Sequence, residues 1–417
     1  MSNTQLLANN HSALFKSVEK ASSENKFVFD LSPSSKNVSS QMLKISPQSN
    51  FSASATARST MSFQLPSSGF LHNMYLVFAV ESTNADQAES SWPALAYIES
   101  VNLSSRGQPL RECNDLAILH DTILSEPNPI VKANRVIGVG DGQTTTAKNT
   151  THKYYVDVGK ALGILAPKDC YDTLSLERLT LNVVFRAVAE ANTCTGAKYT
   201  ANSGALYCVY HQLDSDVYLQ YQNEVYSSDK ESRRLITGWK HENEVEVSGT
   251  DTKEADITID INHKGLLKES VFCLQNKTLR DASDDSLDRY SLNSITSVTL
   301  YAGGVRIWES DDFNVDSFLH NNHIPAKAVR AGDNEITKAN NSENVFHLNY
   351  SMMGLDDSPY FDKISGCLNT GDLSSVYAEI TFTANATVTF VGRMSHRVYM
   401  MEAVDGKNGQ VSSSAKV

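Results

Sequence analysis

The chain has 417 residues, 41% of them hydrophobic and 20% charged, with a formal net charge of −12. At about 150 residues per domain this length suggests two or three domains, and the composition excludes disorder of the whole chain. The acidic balance, with no run of five basic residues, excludes a surface built to grip nucleic-acid phosphates.

The N-terminal stretch MSNTQLLANNHSALF has no basic n-region and no long apolar run, so it does not read as a secretory signal. Leu7, His11, Leu14, Phe15 and Val18 fall at i, i+4, i+7, i+8 and i+11. That spacing predicts one face of an amphipathic helix of about three turns. Such a helix is marginal alone and needs a surface: its own domain, a membrane or a neighbouring subunit.

Beyond residue 40, short runs rich in β-branched and aromatic residues alternate with polar turn clusters. In chain order they are 74–80, 152–158, 179–185, 217–225, 255–261, 270–275, 378–384, 387–392 and 396–402. Such side chains pack well on a pleated surface, so these are predicted strands. Segments 85–94, 138–152 and 191–205 are rich in Gly, Thr, Asn and Ser and read as loops. The C-terminal GKNGQVSSSAKV is small and polar and reads as a frayed tail over 407–417.

The chain repeats itself. Residues 98–116 align without gaps on 295–313, and seven of nineteen positions are identical, among them Val101/Val298, Gly107/Gly304 and Glu112/Glu309. Further matches follow in the same order. Residues 68–78 face 264–274, 154–163 face 345–354, and Cys170 faces Cys367. Residues 174–185 face 375–386 at an offset of about 201, and 217–225 face 398–404. Collinear self-similarity marks a duplicated unit. The repeated stretch reads as a strand, a tight turn at Gly107 or at Gly303 and Gly304, and the start of the next element, with Asp115 and Asp312 placed to cap it. The predicted layout is an arm over 1–40, a first β domain over 41–226, a second over 227–406, and the tail.

Motifs that carry chemistry are scarce. GVGDG (138–142) lacks the rest of a dinucleotide fingerprint. His241 has no second histidine at ligand spacing, and His320 and His323 would need partners from elsewhere. DASDDSLD (281–288) lacks the alternating ligands and central glycine of a calcium loop. The six cysteines form no C-x-x-C pair and read as free, mostly buried thiols. No catalytic constellation stands out, so the chain reads as a non-enzyme without a cofactor or a metal. Trp92, Trp239 and Trp308 would form a sugar platform if exposed.

FQLPSSGFLHNMYLVF with YIESVNLSSRGQPLRE, and ITIDINHKGLLKESVF with ITSVTLYAGGVRIWE, carry the duplication. With two tandem β domains and a short arm, the chain resembles the double jelly-roll major capsid proteins of tailless, membrane-containing icosahedral double-stranded DNA viruses, of the phage type. The resemblance implies an all-β fold of two tandem eight-stranded jelly-roll sandwiches with a short helical N-terminal arm. It implies homotrimers that act as pseudo-hexagonal capsomers and tile a shell over an internal membrane. Implied partners are neighbouring capsomers, penton and minor capsid proteins, and lipid through the arm, without direct nucleic-acid contact. Implied too is a place in the virion after synthesis in the host cytoplasm, without secretion. The rival reading is a tandem jelly-roll carbohydrate-binding or receptor-binding protein.

Overall fold

The structure is a computed structural model. It describes residues 38–52, 56–81, 87–88, 92–126, 128–140, 145–146, 151–164, 170–176, 178–191, 197–213, 215, 218–219, 222, 232–250, 253–277, 294–310, 345–350, 367–383, 387, 389–404 and 411–414.

The first half holds β1 (Val38–Ile45), β2 (Ser59–Gln64), β3 (Phe70–Glu81), β4 (Gln87–Ala88), β5 (Ile98–Ser105) and β6 (Gln108–Asn114). It continues with β7 (Thr145–Thr146), β8 (Thr151–Asp157), β9 (Tyr171–Asp172), β10 (Leu179–Phe185), β11 (Lys198–Tyr199) and β12 (Ala205–Leu213). The second half holds β13 (Ser232–His241), β14 (Val245–Ser248), β15 (Glu254–Asp260), β16 (Leu266–Asn276), β17 (Ser294–Ala302) and β18 (Val305–Ser310). It ends with β19 (Val345–Asn349), β20 (Leu368–Asn369), β21 (Val376–Thr383), β22 (Thr389–Val404) and β23 (Val411–Ser414).

Two main sheets form each half, and the halves share one topology. In the first, β1-β12-β3 run side by side with β8 on the far edge of β3, and β2-β10-β5-β6 make the second sheet. In the second, β13-β22-β16-β19 and β15-β21-β17-β18 repeat that order. Sequence-distant strands alternate with neighbours in both sheets, and every ladder is antiparallel. This is the jelly-roll arrangement, present twice.

The register shows how closely the copies correspond. Leu179 pairs Ser105, and Val376 pairs Ala302. Both partners lie 197 residues further on in the second copy, so β10 and β21 align at 197 rather than at 201. Alternation sets the inner faces. Leu179, Leu181, Val183 and Phe185 are buried with half-buried residues between them, as are Val376, Ala378, Ile380 and Phe382. Phe51, Phe78, Tyr97, Phe185 and Tyr199 make an aromatic cluster in the first core, and Phe382 packs on Phe390 in the second.

The repeated stretch is a hairpin in both copies. Arg106 and Gly107 turn β5 into β6 with φ of 50° and 77°. Gly303 and Gly304 turn β17 into β18 with φ of 57° and 76°. Two positive φ values in a two-residue loop match the right-handed twist of the flanking strands.

Several sequence expectations give way. Within 217–225, expected as a strand, the described residues Tyr218, Leu219 and Gln222 are helical. The Tyr218 hydroxyl and the Gln222 amide bind Ser175, and Tyr218 also reaches Asp172. The counterpart of β22 is β12. Segment 138–152 is not all loop. It holds the end of helix α3, introduced below, then β7, which pairs β4, and the start of β8. Pro93 and Ala94, given to a loop, begin α1 (Pro93–Tyr97), whose residues are all buried. Lys198 and Tyr199, also given to a loop, pair β3 as β11. The tail does not fray at Val411–Ser414, which pair Met401–Val404 as β23 and extend the ladder of β22. The arm ends earlier than residue 40, because Val38 already pairs Leu213.

Further helices sit on the first roll among the described residues. They are α2 (Asp115–Leu119), which runs on into a π-helical turn at His120–Leu124, α3 (Pro129–Val139), α4 (Val158–Ala161) and α5 (Val188–Ala191). Asn114, not Asp115, caps α2 through its side chain, which accepts from the Ala117 amide. Asp312 lies outside the described residues. In α3, Asn128 caps the start and Pro129 opens the first turn.

Candidate functional site: the buried seam between the rolls

The richest chemistry lies where β6, α2 and the π-helical turn of the first roll meet β13, β16 and β22 of the second. A strand with one face in a core should alternate, and β22 does. Met394, Val398 and Met400 point into the second core. Arg393, Ser395 and Arg397 occupy the opposite face, which in most antiparallel sheets is solvated. Here the first roll covers it, and all three are buried.

Each buried charge meets an opposite one. Asp115 accepts from Arg393 at 3.0 Å and 2.6 Å. Arg186 lies 3.4 Å away on its other side. Asp121 accepts from Trp239 Nε1 at 2.7 Å and from Arg397. Arg397 also lies 2.5 Å from Glu269 and stacks over the Trp239 ring, 4.8 Å from its centroid. Arg111, reaching the other way, donates to both oxygens of Glu402 at 3.1 Å and 3.4 Å and to the Gly163 carbonyl at 2.6 Å. Tyr171 adds a hydroxyl to Glu402. Burial alone would pull the Arg393 guanidinium down, but the Asp115 charge and hydrogen bonds outweigh it and hold it well above its usual value.

His120, Asp121 and Glu269 bring one ligand atom each within 4.8 Å of one another, the only such group among the described residues. Arg397 already lies against both carboxylates. Its fixed positive charge stands where a cation would bind, so the cluster reads as an ion-pair network.

One end of the seam opens into a cavity of about 410 Å3, lined by Glu112, Lys240, His241, Glu242, Asn243, Asn262 and His263. Glu112 and Lys240 close it at 2.6 Å. His241 shares a hydrogen bond with Ser395, which accepts another from Asn114 of the first roll. Among the described residues, the Nε2 atoms of His241, His263 and His396 have no hydrogen-bond partner. Desolvation holds His241 and His263 neutral, with pKa values lowered to about 4. Desolvation and the other two rings lower His396 to about 3. Sequence spacing could not find this group, because its three histidines come from β13, the turn after β15, and β22.

Of the residues singled out in the sequence, His241 lines this cavity and Trp239 lies in the seam. Leu7, His11, Leu14, Phe15 and Val18 lie outside the described residues, as do His320, His323 and residues 281–288. Gly107, Gly303 and Gly304 are turn residues far along the hairpins from the seam. Trp92 and Trp239 are 3% and 1% exposed, so neither offers a sugar platform. Cys113, Cys170, Cys208, Cys273 and Cys367 are buried; Cys194 lies outside the described residues.

No protein-family model matches the chain. No curated protein matches it either. Solved structures do. The PBCV-1 virus capsid protein superposes with a TM-score of 0.67 at 12% identity, covering 93% of this chain and 98% of that one. The Faustovirus major capsid protein gives 0.59 at 10% identity, covering 96% and 98%. The mavirus major capsid protein gives 0.51 at 12% identity, covering 89% and 90%. At such identities the likeness defines the fold. The described residues form a double jelly roll.

Proposed function

We propose that the chain is a major capsid protein, a structural and non-enzymatic shell component. The observation that carries this reading is the seam. Two rolls of one topology are fused side by side by buried ion pairs, which makes a rigid block with two similar lobes. Three such blocks around a threefold axis present six lobes, so a trimer can tile a hexagonal lattice. The likeness over nearly the whole chain to three viral capsid proteins supports the same reading.

In this reading residues 1–37 act as the arm. Leu7, His11, Leu14, Phe15 and Val18 contact an internal membrane or a neighbouring capsomer. Many weak contacts on one particle add up by avidity. Penton and minor capsid proteins complete the shell, and the chain is made in the host cytoplasm. The carbohydrate-binding alternative has less support, since the two described tryptophan side chains are buried.

The test is the solution mass of the purified chain by light scattering, with negative-stain images of the same peak. A stable trimer with a pseudo-hexagonal outline is the expected result. A monomer that binds glycans and never assembles would overturn it.

A further inference from the structure

Two places in the seam gather carboxylates and imidazoles, and they treat a cation differently. At the first, Arg397 lies against Asp121 and Glu269 and supplies the positive charge itself. At the second, the cavity walled by His241, Glu242 and His263 has the acceptors without such a cation. The Glu242 side chain is 5% exposed. Its Oε1 accepts from the backbone amides of Asn262 and His263 at 3.0 Å and 3.1 Å, and its Oε2 from the Asn262 side chain at 3.3 Å. Among the described residues no lysine or arginine stands at salt-bridge distance from it. Lys240, which also lines the cavity, pairs Glu112 at 2.6 Å. A buried carboxylate without a counter-charge is costly, and such groups are paired or bind a metal.

The imidazoles are set up in the same sense. His396 is fully buried, and its Nε2 lies 3.6 Å from Glu242 Oε1. This Nε2 and those of His241 and His263 are buried and, among the described residues, lack a hydrogen-bond partner. In two of the rings the other nitrogen is held. Nδ1 of His241 shares a hydrogen bond with Ser395 at 2.9 Å, and Nδ1 of His396 shares one with Ser270 at 2.7 Å. A partner on Nδ1 orients the ring, and when Nδ1 donates, the Nε2 lone pair is left bare for a metal. Desolvation keeps all three rings neutral at pH 7, so no charge on them repels a cation. Neutral imidazoles with one carboxylate are a donor set of zinc and its first-row neighbours.

We propose that this end of the seam binds one divalent transition-metal ion of the zinc class, with Nε2 of His241, His263 and His396 and a carboxylate oxygen of Glu242 as ligands. The four are less tightly gathered than His120, Asp121 and Glu269. His263 is the ring that closes the set. It is half-buried on the turn between β15 and β16, whereas His241 and His396 sit in strands with their rings tied to serines. The ion ties the end of β13 and the turn after β15 to β22, beside the Glu112–Lys240 contact between the rolls. The site is independent of the assembly reading.

The test titrates the full chain, stripped with a chelator and dialysed, with Co2+ and then with Zn2+. One equivalent of Co2+ should bind with the visible absorption of a four- or five-coordinate nitrogen and oxygen site, and one equivalent of Zn2+ should displace it. Zn2+ should also raise the melting temperature, since it binds only the folded chain. His263→Ala should abolish the absorption and weaken zinc binding on the order of a hundredfold. His320→Ala with His323→Ala should change neither. Melts of the metal-free variants show that each is folded, and Glu242→Gln, which keeps the side-chain volume, replaces His263→Ala if that chain does not fold. A wild-type chain that takes up no equivalent of Co2+ overturns the proposal. So does binding that His263→Ala leaves unchanged, or binding lost with His320 and His323.

Discussion

Asp115 and Arg393 stand 278 residues apart in the chain and hold each other through two hydrogen bonds of 3.0 Å and 2.6 Å. Asp115 is fully buried and Arg393 nearly so. A buried pair of this kind adds little net stability over a well-packed apolar pair, since desolvation consumes most of the attraction. Its effect is on geometry. A guanidinium fork fits a carboxylate in one orientation, and three such pairs along β6 and the segment after it fix how the rolls lie. A shell block needs that fixed angle more than it needs extra stability.

Breaking one side of the pair is therefore costly. Asp115→Ala leaves the Arg393 charge buried without its main partner and should lower the unfolding free energy by about 3–5 kcal/mol. Asp115→Leu with Arg393→Met removes both charges and should recover most of that loss. Urea denaturation of the two variants and the wild type measures it. A single variant as stable as the wild type would show that water or Glu244, 3.1 Å from Arg393, compensates the lost contact.

The histidines of the seam set an acid limit. His396 is fully buried, its Nδ1 shares a hydrogen bond with Ser270, and its Nε2 lies 3.6 Å from Glu242. His241 and His263 face the same region, with Lys240, Glu112 and Arg393 near them. The folded pKa of His396 is about 3 against an ordinary value of 6.5. Above pH 6.5 the ring is neutral folded and unfolded, and it adds no pH dependence. Below that, only the unfolded chain takes the proton, so stability falls by about 1.4 kcal/mol per pH unit until the pH nears the folded value. His396→Gln should flatten the fall in denaturation midpoint between pH 6.5 and pH 5. Parallel slopes for variant and wild type would remove His396 from the account.

The rolls were legible in the sequence and the seam was not, for one physical reason. Strand alternation and turn glycines are local, so LTLNVVF and the Gly107 hairpin announce themselves. Pairing between Asp115 and Arg393 is a matter of distance in space, which chain order does not give. A hint was present all the same. Arg393, Ser395 and Arg397 alternate with Met394, His396 and Val398, so the strand carries two arginines on one face. Helix α3 was missed because its faces are mixed, with Val136 and Val139 buried beside a charged residue. Lys132 is buried, and Arg135 reaches inward to Glu126 and Asp157. Ile130 and Ile137 point outward at 72% and 76% exposure. Apolar periodicity presumes the reverse. The cap at Asn128 with Pro129 was the usable signal.

The hairpin turns offer a prediction that separates backbone strain from packing. A Cβ on Gly107 or Gly304 would meet nothing within 4 Å, so a substitution there costs only what the left-handed backbone imposes. Gly107→Ala should lower stability by about 1–2 kcal/mol. Arg106 already bears a side chain at φ 50°, where the second copy has Gly303 at 57°. Arg106→Gly removes that strain and should raise stability by up to about 1 kcal/mol, less the added freedom of the unfolded chain. Thermal melts of both variants beside the wild type decide it. A Gly107→Ala chain that melts with the wild type would mean that the loop relaxes to another turn. The shared geometry of the two hairpins would then owe nothing to the glycine that both copies carry.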